Sequence, residues 1–364
     1  MHTEHYYHHA YGWCFLFMIL KNTNLLLKEK LKSREFDSYA VLVSVDGDKE
    51  FLHSQSVDGD TYFDIASMGK VLVTSTLILK AIDEKKLSLD DTLQNFFDCV
   101  PNEKRNITIK QLLTHTSGIV RCDIPQNTAD NGANAVAEFI LTGSLAFKPG
   151  TNQEYSCNGM LILGYILEKV YGKPLEEIFN EKLKKTLGYT RSKFNIAIDE
   201  PNSAVCYRTK TLDGIDHPWD DENIRILKTS AGSGGQFFTM NDIEKFGDAV
   251  IEKSALLYSE DIFDEAEKNY VTDFGEGWGL GWLYVDGKYP QTGKLFPIGS
   301  FGHCGHTGTS MFFSREKNMY VIILTNATRF LNMKNNFNGY DYGKICEMRA
   351  DIHNAISEDL KNEE

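Results

Sequence analysis

The sequence lacks several features, and each absence removes a class of function. There is no Cys-x-x-Cys pair, and the seven cysteines, at 14, 99, 122, 157, 206, 304 and 346, are odd in number and scattered. Such a set is no disulfide framework and suits a reducing compartment, so a cytoplasmic location is the expectation. Basic residues are the minority, 38 against 51 acidic, for a formal charge of −13. With no basic stripe, that balance argues against nucleic acid or an anionic membrane as a partner. The apolar run "WCFLFMIL" at 13–20 has eight residues, too short to span a bilayer. It has neither basic residues ahead of it nor a small-residue cleavage site behind. It therefore reads as a core-packing helix, with export or membrane association through it as the alternative. The histidines at 2, 5, 8 and 9 read as a solvated tail rather than a metal site. Low-complexity blocks, Pro/Gly-rich linkers and internal repeats are missing as well.

What is present is an ordinary globular composition. The chain has 364 residues, 42% hydrophobic and 24% charged, enough to bury a full core. Residues 24–35 read as a helix, and "YAVLVSVDGDKEFLHS" as a hairpin turning at Asp46-Gly47. From Lys70 to about Leu227 the pattern is helix and loop, including 70–84, a segment near 108–115, and "GMLILGYILEKVYG", which stops at Gly172. After Ser233 the character turns to β in "GQFFT", "WGLGWLYV", "GTSMFFS" and "MYVIILTN", and an amphipathic helix over 342–361 closes the chain. This order predicts an α+β fold with an antiparallel sheet built from both termini and a mostly helical subdomain inserted between. One composite domain is expected, its α/β part at 24–69 and 232–364 and its insert at 70–231.

The chemistry-bearing stretch is "FDIASMGKVLV" at 63–73. Positions three apart share a helix face, so Lys70 would stand beside Ser67. A serine hydroxyl is a weak nucleophile until a base takes its proton, and a desolvated lysine can serve as that base. The helix start offers free N–H groups where negative charge would develop on an attacked carbonyl. The pattern alone is weak, because "SREK" places Ser314 and Lys317 at the same spacing in what reads as a solvated turn. Two further stretches add weight. "FKPGTNQEYSCNG" sets Tyr155 in a loop before an apolar helix, where a phenol near a lysine could shuttle protons. "FGHCGHTGTSMFF" has glycine-spaced histidines entering a strand, where a substrate could lie close to the backbone. No accompanying ligand cluster supports a metal there, and no cofactor motif is present.

In this order the stretches resemble the penicillin-recognising serine hydrolases, in the branch of class C β-lactamases, D-alanyl-D-alanine carboxypeptidases and related esterases. The resemblance runs from about residue 25 to 330 and includes "ITIKQLLTHTSGI", "DDENIRIL" and "SGGQFFTMNDIEKF". It implies a three-layer α/β/α arrangement and an acyl-enzyme on Ser67, with Lys70 and Tyr155 as the proton-transfer pair. A histidine of the third motif would complete the catalytic set, and the oxyanion hole would combine the Ser67 N–H with one from that strand. The substrate would be a small molecule or peptide; the oligomeric state is left open.

Two motifs depart from the family pattern. The second motif is usually Tyr-x-Asn, but here it reads Tyr155-Ser156-Cys157, with Asn158 one place late. The missing amide bears on peptide and penicillin recognition more than on acyl transfer. The third motif fits either His303-Cys304-Gly305 or His306-Thr307-Gly308; the first is favoured, with the His306 N–H in the oxyanion position and Gly305 against the substrate. On one strand, an offset of three would put the two histidines on opposite faces. Cys157 and Cys304 are expected to replace polar groups in one cleft, Cys157 as a reactive thiol. A binding or sensing relative without turnover is the rival to hydrolysis.

Overall fold

The structure is a computed structural model that describes residues 19–204, 209–210, 216–217, 219, 222–288, 290–328 and 342–361. The four N-terminal histidines, Cys14, Cys206, most of the 13–20 run and the start of "DDENIRIL" lie outside the described residues.

The chain begins with helix α1 (Lys21–Lys32), slightly earlier than the expected 24–35. Strands β1 (Tyr39–Val45) and β2 (Asp48–His53) then form the hairpin. Its two turn residues, Asp46 and Gly47, have φ of 52° and 89°, the positive pair that a tight hairpin turn demands. The C-terminal part supplies β3 (Leu283–Tyr284), β4 (Phe301–Cys304), β5 (Ser310–Ser314) and β6 (Met319–Thr325). All pair antiparallel in the order β2-β1-β6-β5-β4-β3, so the N-terminal hairpin joins the sheet through β1 against β6. Of "WGLGWLYV" only Leu283 and Tyr284 enter a strand. The "FF" of "GQFFT" goes instead to a small second sheet with Tyr62–Asp64, the segment leading to Ser67.

Side-chain alternation along β1, β5 and β6 divides the core in two. Val41, Val43, Phe312, Val321 and Ile323 face α1 and the closing helix α5 (Tyr342–Lys361). Asp359 ties these helices together by accepting the Thr23 N–H and hydroxyl at 2.8 and 2.7 Å. On the other face Ala40, Leu42, Met311, Phe313, Ile322 and Leu324 meet α2 (Thr76–Asp83) and α4 (Met240–Ile251). Between them in sequence lies α3 (Cys157–Tyr171), N-capped by the Ser156 hydroxyl and ended by Gly172 in the left-handed conformation. Helices thus cover both faces of the sheet, the three-layer arrangement expected. Among the described residues, no helix is long and apolar enough to cross a membrane.

Candidate active site

Ser67 does not open a regular α-helix. It sits in a tight turn, Ala66–Met68, behind which Lys70–Ser75 winds as a π-helical turn before α2 begins. Ala66 has φ of 46°, a conformation costing on the order of 1–3 kcal/mol in a non-glycine residue. The Asp64 carboxylate holds it there by accepting the Ala66 N–H at 2.8 Å. Strain and wide winding place Ser67 as the one residue of 61–70 that is not fully buried.

Lys70 is 1% exposed, and its Nζ lies 2.8 Å from Ser67 Oγ. It also donates to the Ser233 carbonyl at 2.5 Å. A buried ammonium or amine without acceptors would be heavily destabilising, so the "SAGSGGQ" loop is part of the site. That loop approaches closely because Gly234 has φ of 140° and lies where a Cβ would come 2.5 Å from the Ala66 carbonyl. Thr74 anchors it from the helix by donating to the Gly232 carbonyl at 2.7 Å.

Tyr155 comes to the same place from the loop before α3. Lys70 Nζ stands 5.1 Å from its ring centre, and its hydroxyl is within hydrogen-bonding reach of Lys70 and Ser67. Tyr155 is 37% exposed as a residue, with its hydroxyl directed at Lys70 and Ser67. Burial pushes the phenol up to about 12, against the opposing pull of Lys70. Near neutral pH the Tyr155 phenol therefore keeps its proton.

The third motif approaches from β4. This strand ends at Cys304, and His306 lies in the turn that follows, so the two histidines do not share a strand and the opposite-face argument does not apply. The buried His303 ring stands 6.1 Å from Tyr155 and 5.9 Å from Trp278. Its Nδ1 lies 2.8 Å from the Cys304 carbonyl, which can only accept, so Nδ1 carries the proton. Nε2 is left as a lone pair with no hydrogen-bond partner among the described residues. Burial, then the neighbouring Lys70, lowers its pKa to about 3, so the ring is neutral at ordinary pH. His306 is half-buried. The turn 305–309 docks on the residues before Ser67: Thr307 donates to the Asp64 carbonyl at 2.8 Å and Thr309 to that of Ile65 at 3.2 Å. Gly305 is required at this contact, since a Cβ would lie 2.5 Å from the Ile65 carbonyl.

The two cysteines part company. Cys157 is buried at the first turn of α3, two residues after Tyr155. Cys304 alternates away from His303 into the core under α5, so it does not line the cleft. Burial raises that thiol to about 12. Asn158 does not replace the missing amide; it is buried and donates to the Val120 carbonyl at 3.0 Å and Cys122 Sγ at 2.9 Å.

Two site residues were not singled out from the sequence. His115, inside "LLTHTSG", holds the backbone on either side of Tyr155: its carbonyl accepts the Glu154 N–H at 3.0 Å and its Nδ1 the Ser156 N–H at 3.3 Å. It does so from a left-handed backbone, φ 56°, with burial holding the ring neutral. Trp278 packs on it, ring centres 4.7 Å apart. The histidine letter in the quoted stretch was the available signal; nothing local marks Trp278.

A polarised serine beside a buried lysine and a phenol, at the edge of an antiparallel sheet layered between helices, is a serine-hydrolase arrangement. The beta-lactamase family profile matches residues 24–337, and the chain belongs to that family of serine hydrolases. An Escherichia coli K12 protein named "Putative D-alanyl-D-alanine carboxypeptidase" is 28% identical over 302 residues, covering 73% of this chain and 69% of that one. Among solved structures, a beta-lactamase/D-alanine carboxypeptidase from Pseudomonas syringae superposes with a TM-score of 0.72 at 16% identity, covering 93% and 98% of the two chains. EstCE1, described as a hydrolase with promiscuous acyltransferase activity, gives 0.71 at 18% identity, covering 92% and 97%.

Proposed function

We propose that this chain cleaves carboxylic esters through an acyl group carried on Ser67. Ser67 Oγ attacks the substrate carbonyl as Lys70, in its amine form, takes the hydroxyl proton. The oxygen that becomes negative is met by the backbone N–H groups of Ser67 and His306. Tyr155 passes a proton to the departing alcohol and is reprotonated from Lys70. Water then attacks the acyl-serine, giving its proton back along the same path, and releases the acid. The carrying observation is the 2.8 Å approach of Lys70 Nζ to Ser67 Oγ, with the Tyr155 hydroxyl beside both.

The choice of ester rests on the second motif. A peptide or β-lactam substrate has an amide group to be held, and the position for that amide-binding side chain is occupied by Cys157. A thiol hydrogen-bonds weakly, and the Asn158 amide is engaged elsewhere. The carboxypeptidase names of relatives support the other reading, so both belong in one assay. Purified protein is offered p-nitrophenyl butyrate, a chromogenic cephalosporin and an N-acylated Lys-D-Ala-D-Ala peptide. The ester should give the highest kcat/KM; faster release of D-alanine from the peptide would overturn the ester assignment.

A further inference from the structure

Arg349, on α5, is remote in sequence from every motif discussed so far and is 0% exposed. Its guanidinium reaches the turn after β4 from the side opposite the cleft. Nη2 donates to the Gly305 carbonyl, Nε to the Gly308 carbonyl at 3.3 Å, and Nη1 to the Gln291 side-chain oxygen. A buried arginine is strongly destabilising unless its donors are met, and here two of the acceptors belong to one four-residue turn.

The bond to Gly305 has a specific chemical meaning. The Gly305 carbonyl and the His306 N–H belong to the same peptide unit. In a planar trans peptide these groups point in opposite directions. A cation holding the carbonyl from the α5 side therefore aims the N–H toward the Ser67 side, where the Gly305–Thr309 turn is docked on Asp64 and Ile65. It also draws electron density from the amide, which makes that N–H a stronger donor. We propose that Arg349 is a positioning residue of the oxyanion hole, fixing and polarising the Gly305–His306 peptide. Helix α5 would thereby couple the closing end of the chain to catalysis. This rests on the acyl-enzyme reading above.

The test uses the full chain with Arg349→Met and Arg349→Lys, p-nitrophenyl butyrate as substrate and phenylboronic acid as a probe whose tetrahedral adduct places a negative oxygen in the hole. Arg349→Met should lose about 10-fold or more in kcat/KM. Boronic acid affinity should fall in proportion, with KM little changed and Arg349→Lys intermediate. A helix anchor alone would lower the melting temperature and leave the ratio of boronic acid affinity to KM where it was; that result overturns the proposal. If Arg349→Met does not fold, Arg349→Lys decides by the same ratio. Ser67→Ala run alongside separates the two readings. Activity surviving in Ser67→Ala defeats the acyl-enzyme itself, whereas a dead Ser67→Ala with unaltered Arg349 variants defeats only the role of Arg349.

Discussion

Ser67–Lys70 and Ser314–Lys317 share one spacing and end in opposite circumstances. In the first, helical winding brings Lys70 Nζ to 2.8 Å from Ser67 Oγ, inside a buried pocket of acceptors. In the second, the chain turns between β5 and β6. The Ser314 hydroxyl is spent on the Lys317 backbone N–H at 3.2 Å, and Lys317 Nζ reaches away to the Leu295 carbonyl. Here the expectation of a wholly solvated turn needs amending, because Lys317 is exposed but Ser314 is 1% exposed, closing the strand end. Spacing makes a pair of residues available; backbone geometry decides whether their functional atoms meet, and burial decides whether water competes.

The comparison breaks most sharply at the serines. Ser67→Ala should abolish turnover of p-nitrophenyl butyrate, a loss on the order of a thousand-fold or more, while Ser314→Ala keeps it. Mass spectrometry after fluorophosphonate treatment should find the adduct on Ser67; an adduct retained in Ser67→Ala would remove it as nucleophile. The lysines come next. Lys70→Ala, Tyr155→Phe and the double variant should fall to similar residual rates, because groups acting as a unit are non-additive. Lys317→Ala should stay near the parent rate. Wild-type turnover in Tyr155→Phe would return that residue to a packing role.

A smaller effect separates the two histidines of the third motif. His303→Ala should lower kcat without unfolding the chain, and His306→Ala should be milder because only its backbone N–H is used. Steady-state kinetics and circular dichroism together read this out, and the reverse ranking would shift the motif by three residues. The smallest effect is on stability against acid. His303 is depressed in the folded state, from 6.5 to about 3, so between those values the unfolded chain binds the proton and the folded chain does not. Stability should accordingly fall as pH drops from 6.5 toward 3 and be unaffected above 6.5. His303→Gln should flatten that decline in thermal melts from pH 7 to 4.5, while Lys317→Ala leaves it. An unchanged slope in His303→Gln would mean other groups govern it.

Much of the fold was legible because it is carried by local periodicity. The near-continuous apolar, β-branched runs "YAVLVSV" and "MYVIILT", the positive-φ residues at Asp46-Gly47 and the stop at Gly172 each act within a few neighbours. The S-x-x-K stretch and Tyr155 were legible for a similar reason, since a lysine in an apolar run and a phenol at a helix start are local anomalies. The contacts among them were not. Sequence could not show that Ser233 holds Lys70 across 163 positions, that His115 grips the backbone on both sides of Tyr155, or that Arg349 stands behind Gly305. It also placed Cys304 in the cleft, where the strand's alternation turns it to the opposite core. By itself the sequence determined which residues could do chemistry and which segments would be helix or strand, because those properties depend on side-chain type and short-range spacing. Only the tertiary structure decided which lysine meets a serine, which histidine faces the phenol and which backbone N–H is aimed at a substrate, because each depends on orienting atoms brought together from distant parts of the chain.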